Sequence, residues 1–456
     1  MTQRDIINPY TQQTIATIPD SSQADVEQAI ARAYDLRGTF AKMPAHRKGK
    51  ILATASALIE ANADAIAEII ASESAKPLKY AKGEVMRAVE TFLFASDVAR
   101  NLRGESFNMD SARGGVGKFA YTMRVPIGVI GAITPFNFPM NLVAHKVAPA
   151  IAVGCPIVLK PAPTTPLTAL RLAEILREAG LPDGLFTVVT GDGDVGEWLT
   201  SDPRIAMISF TGSDVVAEKI SRVVGLRKAV YELGGNAAVI VDESADPHKV
   251  ADKIAIGAFA YSGQVCISVQ RAYIHRTHYE SFQEALIKRA ETLILGDPMN
   301  PKTDMSVMIS PATNTRIASW IDEAMAGGAR VLTGARVENG IFLPTVIENV
   351  PADAKLIRQE AFAPVVCLIP FDDFDEAIRG VNDSDYGLQV GVFTNDLGRM
   401  MTAAEKLEVG GVIINDAPTF RADNMPYGGV KRSGIGREGV RYAADEMTVT
   451  KIIVMG

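Results

Sequence analysis

From position 127 onward the chain alternates short apolar runs with segments of helical length. The runs cover 127–133, 157–160, 186–190, 206–210 and 229–233, and the segments between them include 142–153 and 165–179. A strand buried on both faces reads as a continuous apolar run, and successive parallel strands need a crossover between them. The pattern therefore specifies an α/β fold with a parallel sheet covered by helices. A second alternating block runs from 237 to about 429. Upstream, Leu52, Ala55, Ile59, Ile66 and Ile70 recur near a 3.6 period with Glu60, Asp64 and Glu68 between them, which predicts one helix over 46–72. A second helix is expected from about 80 to 102. The small and polar residues of 103–117, with Arg113-Gly114-Gly115, suggest a hairpin or an exposed arm. The β-prone end, 447–455, could pair with that arm or with another subunit.

A chain of 456 residues should form two or three domains. At 47% apolar and 22% charged it is ordinary globular protein, and a net charge of −7 disfavours nucleic-acid and anionic-membrane surfaces. The apolar stretch 147–159 carries Pro149, Gly154 and Pro156 and is too short to span a bilayer. No signal-peptide core follows Met1. Cys155, Cys266 and Cys367 are too scattered for a disulfide framework or a zinc site, and the five histidines show no paired spacing. No metal, nucleic-acid or membrane partner is expected, and a reducing cytoplasm is the simplest home.

Two strings carry the chemistry: Glu232-Leu233-Gly234-Gly235, ending an apolar run, and Gly263-Gln264-Val265-Cys266. Cys266 is a candidate thiol nucleophile, with Gly263 leaving room for substrate and nicotinamide, and Glu232 is a candidate base. Most lone cysteines are packing residues, so the thiol alone decides nothing. Gly191-Asp192-Gly193-Asp194-Val195-Gly196 matches a dinucleotide fingerprint, but it follows the third strand of its block; an ordinary turn fits as well. Thr211-Gly212-Ser213 is either a pyrophosphate loop or a capped helix start. Lys160, at a strand end where an acidic residue would bar a 2′-phosphate, is either phosphate-tolerant or merely solvated.

Together the Glu232 and Cys266 strings resemble the two active-site signatures of the aldehyde dehydrogenase superfamily. Thr134-Pro135-Phe136-Asn137-Phe138-Pro139, Lys160-Pro161-Ala162-Pro163, Phe210-Thr211-Gly212-Ser213, Glu360-Ala361-Phe362-Ala363-Pro364 and Pro426-Tyr427-Gly428-Gly429 resemble further family segments in the same order. The resemblance implies a Rossmann-type cofactor domain (1–102 and 122–230) and an α/β catalytic domain (231–432). A small β oligomerisation arm (103–121 with 433–456) would build homodimers or homotetramers. It implies oxidation of an aldehyde through a thioester on Cys266, hydrolysed by water that Glu232 activates, with Asn137 holding the oxyanion. Retention of Glu232 favours this over the CoA-acylating branch, and retention of all three residues over an inactive member of the fold. NAD or NADP would be held by Lys160, Thr211, Gly212, Ser213, Glu360, Phe362, Ile133, Pro135 and Gly191. The residues around Cys266 and Arg421 resemble the lactaldehyde and non-phosphorylating glyceraldehyde-3-phosphate branch. Arg87, Arg421 and Phe138 would then contact a small aldehyde, hydroxylated or bearing one anionic group, lactaldehyde-like first with succinate semialdehyde as the alternative; internal salt bridges are the other reading of the two arginines. A further arginine of that branch stands here as Val265.

Overall fold

The computed structural model describes residues 2–456. Five parallel strands form the first sheet. Across the sheet they run Lys228–Glu232, Ile205–Thr211, Val129–Ile133, Ile157–Lys160 and Phe186–Val188. The order reverses between Val129–Ile133 and Ile205–Thr211, and the carboxyl ends at such a reversal form a crevice that accepts ligands. Each expected strand exists, within a few residues of its expected ends. A short strand, Gly434–Ile435, returns from near the C-terminus and pairs antiparallel with Tyr231 and Glu232.

The helix Asn141–Val153 fills the space between this sheet and the helix Leu78–Asn101, and all of its residues are buried. Its first N–H groups, from Met140 and Asn141, donate to Glu84 of the neighbouring helix at 2.8 and 3.1 Å. Glu73 does the same for the helix Leu167–Glu178, accepting from Leu167 and Thr168 at 2.8 and 3.1 Å. Two buried glutamates thus satisfy helix starts that have no cap of their own. The single helix expected over 46–72 is two, Ala45–Ala61 and Ala63–Ser74. They meet at Asn62, whose side-chain amide turns back onto the Leu58 carbonyl at 2.8 Å. The apolar period survives the break because both halves face the same core. A hairpin, Gln3–Ile7 with Thr14–Pro19, and the helix Gln23–Ala41 precede them; neither was evident in the sequence.

The second sheet has seven strands in the order Arg330–Thr333, Thr345–Glu348, Val365–Phe371, Arg271–His275, Ala238–Val241, Gln389–Phe393 and Gly411–Ile414. All neighbours are parallel except the first pair. The third sheet is the arm. Thr448–Met455 pairs antiparallel with Phe119–Pro126 along its whole length, and Ser106–Phe107 adds a short third strand. The expected arm boundaries shift accordingly. The strand Phe119–Pro126 runs across the 121/122 division. The part 433–446 packs on the first sheet and its helices instead, through Gly434–Ile435 and the helix Val440–Glu446. Among the described residues no helix is long and apolar enough to cross a membrane.

Candidate active site

Three loops converge where the two large sheets meet. The first leaves the strand Lys228–Glu232. Glu232 is only 2% exposed, and neither carboxylate oxygen has a hydrogen-bond partner. Burial and the neighbouring Glu438 hold its carboxyl well above the usual carboxylate range, against the pull of Arg421, Lys146 and Arg437. Two residues on, Gly234 lies against the Glu360 carboxylate so closely that a Cβ would overlap it. Glu360 also accepts from the Gly235 N–H at 3.0 Å, and burial lifts its pKa to about 7.

The second loop follows the helix Pro247–Phe259. Tyr261, Ser262 and Gly263 take φ of 52°, 55° and 68°, three successive left-handed residues. For the two that carry side chains this costs roughly 1–3 kcal/mol each. Contacts on both sides hold the turn: the Tyr261 hydroxyl donates to the Ser74 carbonyl at 3.2 Å and Ser262 to the Ser306 carbonyl at 2.6 Å. Gly263 is required because the Ala363 carbonyl occupies the place of a Cβ. Its missing side chain makes room for the backbone of the third loop, where room for substrate was expected. The turn delivers Cys266 to a cavity of about 280 Å3. Burial pushes the Cys266 thiol up to about 12; the Tyr427 hydroxyl, 3.0 Å from Sγ, and Arg421 pull the other way.

Asn137 lies beside this turn. It is buried, and its amide donates to the Gln264 carbonyl at 3.0 Å, leaving one N–H uncommitted. Phe136 of the same segment meets Phe362 edge to face, with centroids 5.9 Å apart. The strings around Asn137, Glu232, Cys266 and Glu360, distant in sequence, thus touch one another.

A second cavity, of about 650 Å3, opens at the carboxyl ends of the first sheet, at the point where its strand order reverses. Ile133, Pro135, Lys160, Thr211, Gly212 and Ser213 line it together. Its chemistry fits a dinucleotide. The Lys160 ammonium has only the adjacent Pro161 carbonyl, at 3.3 Å, and burial lowers its pKa to about 8. The Thr134 hydroxyl is buried without a partner, and the start of the helix Gly193–Ser201 has no side-chain cap. Gly191 is a correction. It lines a different cleft, with Asp20 and Ser22, and its neighbour Val195 fills the space above it. Gly193 and Gly196 take its place on the groove, because the helix begins two residues later than the fingerprint implies. Glu360 and Phe362 sit at the loops between the two cavities and line neither.

Arg87, Arg421 and Phe138 all line the Cys266 cavity. Arg87 makes two bonds to Asp423, at 2.8 and 3.1 Å. Asp423 also accepts from Asn141 at 3.1 Å and His145 at 2.8 Å, and its carboxyl stays far below the usual range. Arg421 pairs with Glu438 at 3.3 Å and stacks on Tyr427, 3.8 Å from the ring centroid; its Nε has no partner. Each arginine is therefore an internal ion pair and a cavity wall at once. Lys76, fully buried and paired with Glu84, lies 3.7 Å above the Phe138 ring and adds a third cation. Lys76, Lys79 and Tyr427 were missed. Lys79, Gly83 and Arg87 recur every fourth residue, a stripe on one helix face that the sequence did display.

A parallel sheet with a dinucleotide crevice, facing a half-buried cysteine and, among the described residues, an unpartnered glutamate, defines an oxidoreductase working through a covalent thiol adduct. Residues 2–453 match the aldehyde dehydrogenase family, and the chain belongs to it. A 3-sulfolactaldehyde dehydrogenase from Priestia aryabhattai is 46% identical over 99% of this chain and 94% of its own length. Aldehyde dehydrogenase 21 from Physcomitrella patens, solved with the reaction product succinate, superposes with a TM-score of 0.98 at 40% identity, covering 100% of this chain and 95% of its own. A glyceraldehyde-3-phosphate dehydrogenase from Methanocaldococcus jannaschii, solved with NADP, gives 0.95 at 38% identity over 99% and 98%. The protein is an NAD(P)-dependent aldehyde dehydrogenase.

Proposed function

We propose that the protein oxidises a three- or four-carbon aldehyde bearing one terminal anionic group to the corresponding acid. The observation that carries this is the presence of Arg87 and Arg421 on the wall of the cavity that holds Cys266. A guanidinium binds sulfonate, carboxylate or phosphate through paired charge-assisted hydrogen bonds. Lys76 and Lys79 line the same cavity, with Val265 and Phe138 as apolar wall between the charged groups, so the cavity suits one terminal anion on a short chain. The named relatives support the class, being tied to sulfolactaldehyde, succinate and glyceraldehyde phosphate. Lactaldehyde dehydrogenase of Methanococcus maripaludis, 38% identical, supports a 2-hydroxylated substrate. A hydroxylated three-carbon aldehyde with a terminal anion is the first choice and succinate semialdehyde the second.

Cys266 attacks the aldehyde carbon as the thiolate. The free N–H of Asn137 and the Cys266 backbone N–H receive the oxyanion. NAD or NADP, which Lys160, Thr211, Gly212 and Ser213 would hold in the neighbouring groove, would supply the hydride acceptor. Glu232, whose burial makes it a stronger base than a solvated glutamate, takes a proton from the water that opens the thioester. Lys160, which lines the groove, would hold the adenosine ribose, and the absence of an acidic residue at Pro163 favours tolerance of a 2′-phosphate. The arm joins two subunits, and three free thiols suit a reducing cytoplasm.

The test is steady-state kinetics on an aldehyde panel with NAD and NADP. A charged hydrogen bond is worth about 1.5–3 kcal/mol, so Arg421→Ala or Arg87→Ala should raise KM for the anionic aldehyde by about 10- to 150-fold. KM for propanal should change little. Equal effects on both substrates, or a preference for long-chain or aromatic aldehydes, would overturn the assignment.

A further inference from the structure

Tyr427 is 4% exposed, and its hydroxyl is the one side-chain hydrogen-bond partner of Cys266 Sγ among the described residues, at 3.0 Å. Its ring packs with Ile267 and Leu388 and carries the Arg421 guanidinium on its face. Reciprocal backbone bonds to Glu438, at 3.0 and 2.7 Å, fix it in place. The next residue, Gly428, has φ of 153°, and a Cβ there would stand 2.8 Å from the Glu232 carboxylate. The segment Tyr427-Gly428 therefore touches the thiol with one residue and the base with the next.

We propose that Tyr427 is a catalytic residue of this enzyme, whose hydroxyl donates a hydrogen bond to the Cys266 thiolate and aims it at the aldehyde. The proposal rests on Cys266 being the nucleophile. The thiol proton leaves to solvent through the mouth of the cavity, and the electron pair stays on sulfur. Tyr427 keeps its own proton throughout and turns its O–H toward the sulfur. When the S–C bond forms, the carbonyl π pair moves to oxygen, the sulfur loses its charge, and the O–H···S bond weakens. No proton is transferred by Tyr427, because burial holds the phenol well above its ordinary value of 10.0. The cation on its ring face draws electron density from the phenol and makes it a better donor without ionising it. A thiol in so enclosed a place has little water to stabilise its thiolate, and this hydroxyl supplies what water would.

Tyr427→Phe removes one oxygen and keeps the ring under Arg421. Alkylation of the intact enzyme by iodoacetamide, followed from pH 6 to 10 with peptide mapping, reads the thiolate directly. Labelling of Cys266 should slow about tenfold at every pH in that range, which is what a thiol pKa raised by about one unit produces below its midpoint. The burst of reduced cofactor should fall about 10- to 100-fold, with Tm and cofactor KM unchanged. An unchanged alkylation profile overturns the proposal, whatever happens to turnover, because a packing role or a role on substrate would leave it unmoved. Labelling of Cys155 or Cys367 in place of Cys266 in the unsubstituted enzyme would instead reject the nucleophile, and the proposal with it.

Discussion

At the scale of single residues, the site is built from groups whose polar atoms are left unpaired. Glu232 has two idle carboxylate oxygens in a buried position, a state that costs folding free energy unless chemistry uses it. Its absence of partners argues for water or substrate as the occupant. The charged residues behind it, by contrast, are paired with one another. Lys146 bonds Ser209 and Glu438 at 3.1 and 2.7 Å, and Asp423 holds Arg87, Asn141 and His145. Burial and the nearby Arg421 lower the His145 pKa to about 4, so its imidazole is neutral at pH 7 and the carboxylate of Asp423 answers mainly to Arg87. If Glu232 serves chiefly to open the thioester, Glu232→Gln should leave the first hydride transfer nearly intact and slow every later turnover. Stopped-flow should record a burst of reduced cofactor near one per site, then near arrest. A burst slowed as much as the steady state would assign Glu232 to the thiol instead.

At the scale of elements, turns rather than strands or helices deliver the chemistry. The turn Tyr261-Ser262-Gly263 stores left-handed backbone in three successive residues, and side-chain bonds from helix and loop pay for it. It is also the point where the Glu360–Pro364 segment leans on the nucleophile loop, through the Ala363 carbonyl. Gly263→Ala should therefore fail twice. The left-handed φ of alanine costs about 1–2 kcal/mol, and the overlap with Ala363 adds about 1–3 kcal/mol. Urea unfolding should show a loss of about 2–5 kcal/mol, and surviving protein should alkylate slowly at Cys266 because the loop is displaced. Near-native stability would mean that the loop relaxes freely and that its strain serves nothing. The buried caps follow the same logic: Glu84 closes the start of Asn141–Val153 and also neutralises Lys76, so one carboxylate positions both a scaffold helix and a wall of the cavity.

At the scale of the whole molecule, the arm is the unfinished part. Thr448–Met455 is the edge strand of its sheet, eight residues long, with Val449, Ile452, Val454 and Met455 exposed. A long apolar edge is a template for another strand, and a monomer would be expected to blunt it. Phe119 and Met123 on the adjoining strand are exposed as well. The expected partner is the same surface or sheet edge of a second copy, as closed symmetry favours. Sedimentation of the unsubstituted protein should find a dimer or tetramer, and the pair Ile452→Lys and Val454→Lys should shift it toward monomer. A monomer in the unsubstituted protein, or an unshifted oligomer in the variant, would remove the arm from assembly.

The sequence alone determined the parallel sheet, because buried strands and their crossover helices each leave a local apolar period. It also singled out Cys266, Glu232 and Lys160 as candidates from the chemistry of their short strings, and the family resemblance added Asn137. What it could not determine depended on contacts between distant segments. Asn62 divides a helix whose apolar stripe continues unbroken. Gly191 fits a fingerprint but faces another cleft, because the helix start, set by backbone geometry, lies beyond it. Arg87 and Arg421 could be read as salt bridges or as substrate ligands; tertiary structure pairs them with Asp423 and Glu438 and also sets both on the wall of the Cys266 cavity. Tyr427, 161 residues from Cys266, had no local sign of its role. Periodicity reports what a segment buries; only the folded chain decides what that segment is buried against.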